Sequence, residues 1–449
     1  MTAPQKGLVA LIGAYERDNF GDLLFLLQTE AYLADHGLET LATSAFEADM
    51  TPLLGRRIPA FHRILERQAV DHIWTVGGEV GGATMATAIA ALGARHGLHA
   101  GRAAAIRTLS GASPQAPAYL ARPTAFPRNA LASLTLNSVG LAGLSGVPVE
   151  DRLVHLAALR EADSVIVRDT SSADLLAREG VAHRLAPDLI HTLALTRPQP
   201  RRHSDIVLVQ ASERWIRAVG PQSLARALVS APDLKTARIR LFLAGTAPGH
   251  DSVDAFAAVA RHVRALAPAT DIELDGSSRD PWQLVNRISE ARLWIGQSLH
   301  GRIVSAAYGV PRLSLADPKL DAYAATWDEG MPAGVIPTTL GSAVERALSR
   351  EAARGDEGVG RRLGTLADAS MRESIAVMLA RTPADRFASR IAGVEDLRRR
   401  QVAVLEAAVT RKLSRGLRTA VRRSTGHARR QARMAALRVR SAMPHEGER

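Results

Sequence analysis

His300 is the residue whose surroundings ask for chemistry. It stands in "IGQSLHGRIVSAAYGVP", residues 295–311, where an apolar strand breaks into Gln-Ser-Leu-His-Gly and an Ala-rich helix follows at once. A turn alone needs no imidazole. In an open parallel sheet, ligands gather at the carboxyl ends of strands, where loops lead into helix N-termini with free N–H groups. The strand is expected to end near Gly296 and the helix to begin near Gly301 or Arg302. That places His300 where an acid or base can stand beside a bound anion. The plainer reading, a histidine packed or hydrogen-bonded in a tight loop, stays open.

Three further stretches have residue types that suit such a site. After the first apolar run comes "NFGD", residues 19–22, a loop with Asn19, Gly21 and Asp22 that opens a helix. Asp22 near the helix N-terminus can simply be an N-cap, a common occupation for Asp, and Asn19 can simply form a turn. "TVGGEVGGA", residues 75–83, contains Gly77 and Gly78 and lets backbone approach a ligand closely. It lacks the Lys and Ser/Thr of a P-loop and does not read GxGxxG, so it is not a nucleotide motif. In "VIVRDTSSADLL", Arg168 ends a strand and Asp169 or Thr170 can cap the next helix. An arginine suits bidentate binding of carboxylate or phosphate, and a plain ion pair is its other reading. The histidines show neither HxH nor HExxH spacing and the chain has no cysteine, so no metal site, thiolate nucleophile or disulfide framework is expected.

These pieces require elements to hold them. Apolar strands are expected at 8–14, 38–44, 72–78, 132–141 and 162–169, with helices around 22–36 and 171–180 between them. This alternation argues for a parallel sheet wound with helices. Residues 84–130, rich in Ala, Gly, Arg and Pro, read as helix followed by a mobile loop. "TRPQPRRHS", residues 196–204, has linker chemistry. After it the pattern repeats, with strands at 205–210, 237–245, 271–276, 291–296 and 311–316 and helices near 221–230 and 251–266. Helical text from 341 to 397 is expected to close the structure, crossing back to the first domain. The 449-residue length suits two ordinary domains. The architecture inferred is α/β: two Rossmann-like domains, 1–200 and 201–397, facing a cleft, followed by a tail, 398–449.

Charge separates that tail from the body. The chain has 57 Lys+Arg and 45 Asp+Glu; 15 and 3 of these lie in 398–449, which leaves 42 of each in the rest. Val402, Leu405, Val409, Leu413, Leu417 and Val421 recur at helical spacing, and Arg411, Lys412, Arg415, Arg418 and Arg422 fall mostly opposite. A basic amphipathic helix of this kind can lie on an anionic membrane, each basic group contributing about 1 kcal/mol near the surface. It can equally be a solvated helix docked by its apolar stripe. The absence of aromatic residues from the tail disfavours nucleic acid as a partner. No run of about 20 apolar residues calls for a transmembrane helix. The first apolar run, Leu8 to Ala14, suits a buried strand better than a signal peptide. A cytoplasmic protein, or one peripheral on the inner face of a membrane, is expected.

Taken in order, "NFGD", "VGGEVGG" (76–82), "VRDTSSADLLAREGV" (167–181) with "APD" (186–188), and "SLHGRIVSAAYGVP" (298–311) resemble the polysaccharide pyruvyl transferase family. The resemblance spans about 300 residues of the body and excludes the tail. It implies a GT-B-like fold and transfer of a pyruvyl group from phosphoenolpyruvate onto two hydroxyls of a sugar as a ketal. A cell-surface polysaccharide or glycolipid precursor, free or lipid-linked, is the implied acceptor. No cofactor is implied beyond the donor substrate itself. The family's catalytic His matches His300 and its loop acid matches Asp22. Its donor-binding Arg matches Arg168, with Ser298, Leu299, Gly301 and Arg302 around the histidine. Asn19, Gly21, Gly77, Gly78 and Asp188 fall at loop positions that serve the acceptor or the fold. Some members have an arginine directly before the Leu-His pair. This chain has Ser298 there, and Arg302 is the substitute at hand; Glu79 also interrupts the glycine loop. The competing readings are a glycosyltransferase using a nucleotide sugar in the same cleft, and a silent relative that binds a membrane or partner.

Overall fold

The computed structural model describes residues 7–92, 102–200, 204–276, 278–356, 358–404, 406, 407 and 410. The chain divides into two compact units, residues 1–393 and 394–449. Both sheets lie in the first.

The first sheet is built from parallel strands in the order Glu39–Thr43, Leu8–Ile12, His72–Thr75, Ser133–Gly140, Ser164–Val167, Arg184–Leu185, with the short Gly78–Glu79 pairing beside Ser133–Gly140. The second runs Ile272–Leu274, Arg238–Leu241, Ile206–Gln210, Leu293–Gly296, Arg312–Ser314, again parallel throughout. Ten strands expected from apolar runs are present in these two sheets. The sequence reading missed the two-residue strands at Gly78–Glu79 and Arg184–Leu185 and the antiparallel pair Ala48–Asp49 and Arg57–Ile58. Strands buried on both faces read as continuous apolar runs, which is why the longer ones stand out.

Period-two alternation distributes each strand between two cores. Val9 and Leu11 join a central cluster, whereas Ala10 and Ile12 join the outer core of the first sheet. In the second sheet Leu208 and Trp294 enter the same central cluster, while Val207, Val209, Leu293 and Ile295 build the outer core. The two Rossmann-like halves therefore share one inner core. Phe20–Asp35, a largely apolar helix, contributes Phe20, Leu23, Leu24, Phe25, Leu26, Tyr32 and Leu33 to it.

The closing helix Val359–Ala380 crosses back to the first sheet: Tyr32 Oη donates to Asp368 at 2.7 Å, and Asn137 Nδ2 donates to Ser374 at 3.4 Å. Residues 84–130 differ from the expected helix and mobile loop. Two helices, Met85–Ala91 and Arg102–Ser110, are followed by a stretch in which Ala118, Tyr119, Leu120 and Ala121 are buried. Thr75 Oγ1 donates to the Tyr119 carbonyl at 3.1 Å and ties that stretch to the sheet.

No described helix is long and apolar enough to cross a membrane. In the second unit residues 394–404 are helical, and Val402 is exposed. The rest of the expected tail stripe, from Leu405 on, and the basic residues from Arg411 on lie outside the described residues.

Candidate active site

Both sheets reverse strand order beside their first strand, and at such a switch point the loops leaving the carboxyl ends diverge and leave a crevice. In the first sheet this falls between Leu8–Ile12 and His72–Thr75; in the second, between Ile206–Gln210 and Leu293–Gly296. A cavity of about 330 Å³ lies where these loops meet. Asn19, Asp22, Gly77, Gly78 and Arg168 line it from the first sheet, and Ser298, Leu299 and His300 from the second. Eight residues singled out in the sequence, as far apart as Asn19 and His300, thus reach one space.

His300 owes its place to its helix. The helix begins at Leu299, two residues earlier than expected, because Ser298 caps it by accepting from the Gly301 N–H at 3.2 Å. His300 therefore lies in the first turn, where the amides of a helix attract anions. Gln210 fixes the approach: its side-chain oxygen accepts from the amides of Gln297 at 2.8 Å and Ser298 at 2.7 Å. Its Nε2 donates to Asp251 at 2.6 Å, and Asp251 also accepts from the Ala244 amide at 2.6 Å. Burial pushes the Asp251 carboxyl up to about 7. Phe25 and Phe20 meet the imidazole edge-on, with centroids 4.9 and 6.5 Å away. Gly21 makes room, since a Cβ there would come within 1.8 Å of His300 Nδ1. Burial holds His300 well below the ordinary imidazole value, and Arg168 and then Lys319 act in the same direction. The imidazole is therefore neutral at neutral pH.

Arg168 is wholly enclosed and spans two carboxylates, Asp188 at 3.4 Å and Glu79 at 3.6 Å. Only a glycine fits beneath it: a Cβ on Gly140 would stand 2.3 Å from Glu79 and 3.0 Å from Arg168. Asp188 does not line the cavity but lies behind it, with no exposed surface, and its carboxylate is 3.9 Å from His300 Nε2. Burial raises its carboxyl to about 6, against the pull of Arg168.

Asp22 is in the first turn of Phe20–Asp35, and the cap is Asn19, which accepts from the Gly21 amide at 3.2 Å. Asp22 is thus released from capping. Its Oδ2 has no hydrogen-bond partner, and Arg17 stands 3.5 Å away. Gly77 and Gly78 turn with φ of 136° and 92°, conformations that favour glycine, and bring backbone to the cavity wall opposite Phe25 and Asp22.

Two expected donor contacts fall elsewhere. Arg302 has no exposed surface and does not reach the cavity. Its guanidinium donates to Asp328 Oδ2 at 2.7 Å, to Ser314 Oγ and the Pro332 carbonyl at 2.9 Å, and to the carbonyls of Asp328 and Met331 at 3.0 Å. With five N–H groups committed, it has none for a donor. It pins the second sheet to the loop after Trp327. Gly301 is also structural: a Cβ would come within 2.0 Å of the Trp294 ring, so the helix and strand pack directly. The cavity wall also includes Arg17, Tyr119, Gln210, Arg214, His250, Asp251 and Lys319, which the sequence reading did not single out. Gln210 ends a strand legible as an apolar run and Lys319 follows another, a usable signal. Tyr119 comes from the Ala/Pro-rich stretch and gave none. Among the described residues no cluster of His, Asp and Glu could hold a metal ion.

Two Rossmann-like sheets with a polar cavity between their carboxyl ends make an α/β architecture that is GT-B-like in layout. Within it, residues 145–317 match the model of the polysaccharide pyruvyl transferase family, a stretch that includes Arg168, Asp188 and His300. No curated protein matches the chain. Among solved structures, the UDP-GlcNAc 2-epimerase of Neisseria meningitidis bound to UDP-GlcNAc is 12% identical, covering 84% of this chain and 100% of its own, at a TM-score of 0.46. That of Methanocaldococcus jannaschii is 10% identical over 77% of this chain and 93% of its own, at 0.46. An alpha-glucosyltransferase in complex with UDP and DNA is 11% identical over 84% and 100%, at 0.45.

Proposed function

We propose that the cavity transfers a pyruvyl group from phosphoenolpyruvate to two hydroxyls of a sugar, forming a ketal and releasing phosphate. The observation that carries this reading is the meeting in one space of Arg168, a helix first turn bearing a neutral His300, and the carboxylate of Asp22, whose Oδ2 accepts no hydrogen bond and faces Arg17 at 3.5 Å. The donor has a carboxylate and a phosphate, and Arg168, Lys319 and the first-turn amides supply positive charge for both.

The proton count suits an acid and a base side by side. Two C–O bonds form at the donor's C2, while the C–O bond to phosphate breaks and its electron pair leaves on the phosphate. The alkene pair takes one proton to become a methyl group. Of the two protons lost by the sugar hydroxyls, one replaces that proton and the other departs on phosphate. In this scheme Asp22 takes a hydroxyl proton, and His300, protonated once the anionic donor is bound, delivers one to the methylene carbon. The roles can also be exchanged, and the balance is the same.

Phosphate release from phosphoenolpyruvate on adding a panel of pyranosides tests the reaction. Wild type is expected to release phosphate with at least one acceptor, and His300→Ala to lose about a hundredfold or more of that rate. Near-wild-type release by His300→Ala contradicts the assignment. Glycosyl transfer from a nucleotide sugar instead would move the protein to the glycosyltransferases.

A lipid-linked acceptor gives the basic tail a purpose, since a helix on an anionic surface raises the local acceptor concentration. The full chain is then expected to sediment with phosphatidylglycerol vesicles. Replacing Arg411, Lys412 and Arg415 by Gln should weaken that binding by about tenfold or more; unchanged sedimentation rules this role out.

A further inference from the structure

Asp188 is the buried charge that the proposed reaction leaves unused, and its surroundings are unusual. The carboxylate has no exposed surface. Its Oδ1 accepts from the Ile190 amide at 3.0 Å, and its Oδ2 faces Arg168 Nη1 at 3.4 Å and His300 Nε2 at 3.9 Å. Its own amide donates to Tyr323 Oη at 3.3 Å, so the backbone on both sides of it is held. His300 Nε2 is buried and has no hydrogen-bond partner. One carboxylate oxygen thus faces two nitrogens, neither at close range. Arg168 is equally divided, because Glu79 draws on it from the other side at 3.6 Å.

An entering anion changes this balance. A donor carboxylate or phosphate competes for Arg168, and the more Arg168 gives to the donor, the less it neutralises Asp188. His300 is the other group within reach of the freed oxygen. The charged groups acting on the imidazole are Arg168 and Lys319, which keep it neutral, and Asp188, which favours its cation. Around Asp188 stand Arg168, Lys319, Tyr323 and His300. Donor binding offsets both cations and leaves Asp188 in place.

We propose that Asp188 is the positioning residue for His300: it directs Nε2–H toward its own Oδ2, leaves Nδ1 as the nitrogen that gains and gives the proton, and becomes the counter-ion of the imidazolium when an anionic donor engages Arg168. Asp188 touches neither donor nor acceptor; it acts through the ring. The inference rests on the pyruvyl-transfer reading and adds the charge exchange that arms it. No co-reactant is needed, since the proton comes from solvent or from the acceptor hydroxyl.

The test separates the two claims. In wild type, imidazole ¹⁵N shifts of His300 are expected to show the Nε2–H tautomer without ligand and protonation at both nitrogens with phosphoenolpyruvate. Calorimetry in buffers of different ionisation enthalpy should record proton uptake on binding. In Asp188→Asn, Arg168 has one competitor fewer, so phosphoenolpyruvate is expected to bind as tightly as to wild type or more tightly, with proton uptake lost and turnover reduced about tenfold or more. A merely structural role predicts the opposite split, weaker binding with unchanged proton uptake. That result overturns the inference, as does an Nδ1–H tautomer in wild type, which can be read even if the variant does not fold. If phosphoenolpyruvate does not bind wild type at all, the pyruvyl-transfer reading itself fails.

Discussion

At the scale of single residues, the site works by keeping charges incompletely answered. His300 sits against Phe25, Phe20 and Gly21 and is held neutral by burial and by Arg168 and Lys319. With a polyanionic donor bound beside it, as the proposed reaction requires, its pKa is expected to rise, so that binding consumes a proton. Between the pKa of His300 in the free protein and its higher pKa in the complex, the affinity for phosphoenolpyruvate should therefore fall with increasing pH by up to tenfold per unit, and it should level off once the pH exceeds the pKa in the complex. His300→Ala removes the linked proton, and its affinity should be flat over the same range. Titrations at several pH values check this, and equal slopes in the two proteins would refute the linkage. The sequence showed His300, Asp22 and Arg168 because each follows a strand at a loop into a helix. With the helix expected to begin only at Gly301 or Arg302, His300 was not read as lying on it, and the angle between the two side chains stayed hidden. Two positions on a helix are about 200° apart, so His300 and Arg302 cannot share a face. The arginine nearest the histidine in sequence is thus committed to Asp328, and the one that lines the cavity with it, Arg168, is 132 positions away.

At the scale of elements, the first turns of two helices make the centre. Phe20–Asp35 presents Asp22 and Leu299–Ala307 presents His300, and Gly21 lets the two turns touch. A Cβ on Gly21 must displace the imidazole, because it would overlap Nδ1 at 1.8 Å. Gly21→Ala is accordingly expected to fold and to lose about a hundredfold or more in turnover through misplacement of the ring. Gly146→Ala, where a Cβ meets open space, serves as the control. Assays of both variants beside thermal melts decide the matter; full activity of Gly21→Ala would mean that the ring position is not critical. The strands were legible because parallel strands covered on both faces are unbroken apolar runs. The caps were less so. Asn19, not Asp22, caps the first helix, and Ser298 starts the second two residues early. Ser, Asn and Asp are nearly equal as caps, so composition does not choose among neighbours. Tyr119 was hidden for a different reason: it is held by long-range bonds, Oη to Glu16 at 2.6 Å and its carbonyl to Thr75, which leave no local pattern.

At the scale of the whole molecule, the shared inner core fixes the two switch points opposite each other. Val9, Leu11 and Trp74 of the first sheet join Leu208 and Trp294 of the second in one cluster, with Phe20 and Leu299 at its upper end. The two-half architecture was readable from the repeated strand and helix text on either side of residues 196–204. The crossing of Val359–Ala380 onto the first sheet was expected only in outline, since the partners Asp368–Tyr32 and Ser374–Asn137 are more than 200 positions apart. The claim on which the whole account depends is that this cavity takes phosphoenolpyruvate. Isothermal calorimetry at low salt, with a nucleotide diphosphate sugar as control, tests it without knowledge of the acceptor. The account predicts saturable phosphoenolpyruvate binding, weakened about tenfold or more in Arg168→Lys, where a point charge replaces the planar fork, and no binding of the control. Binding of the nucleotide sugar alone, or of neither ligand, would contradict it.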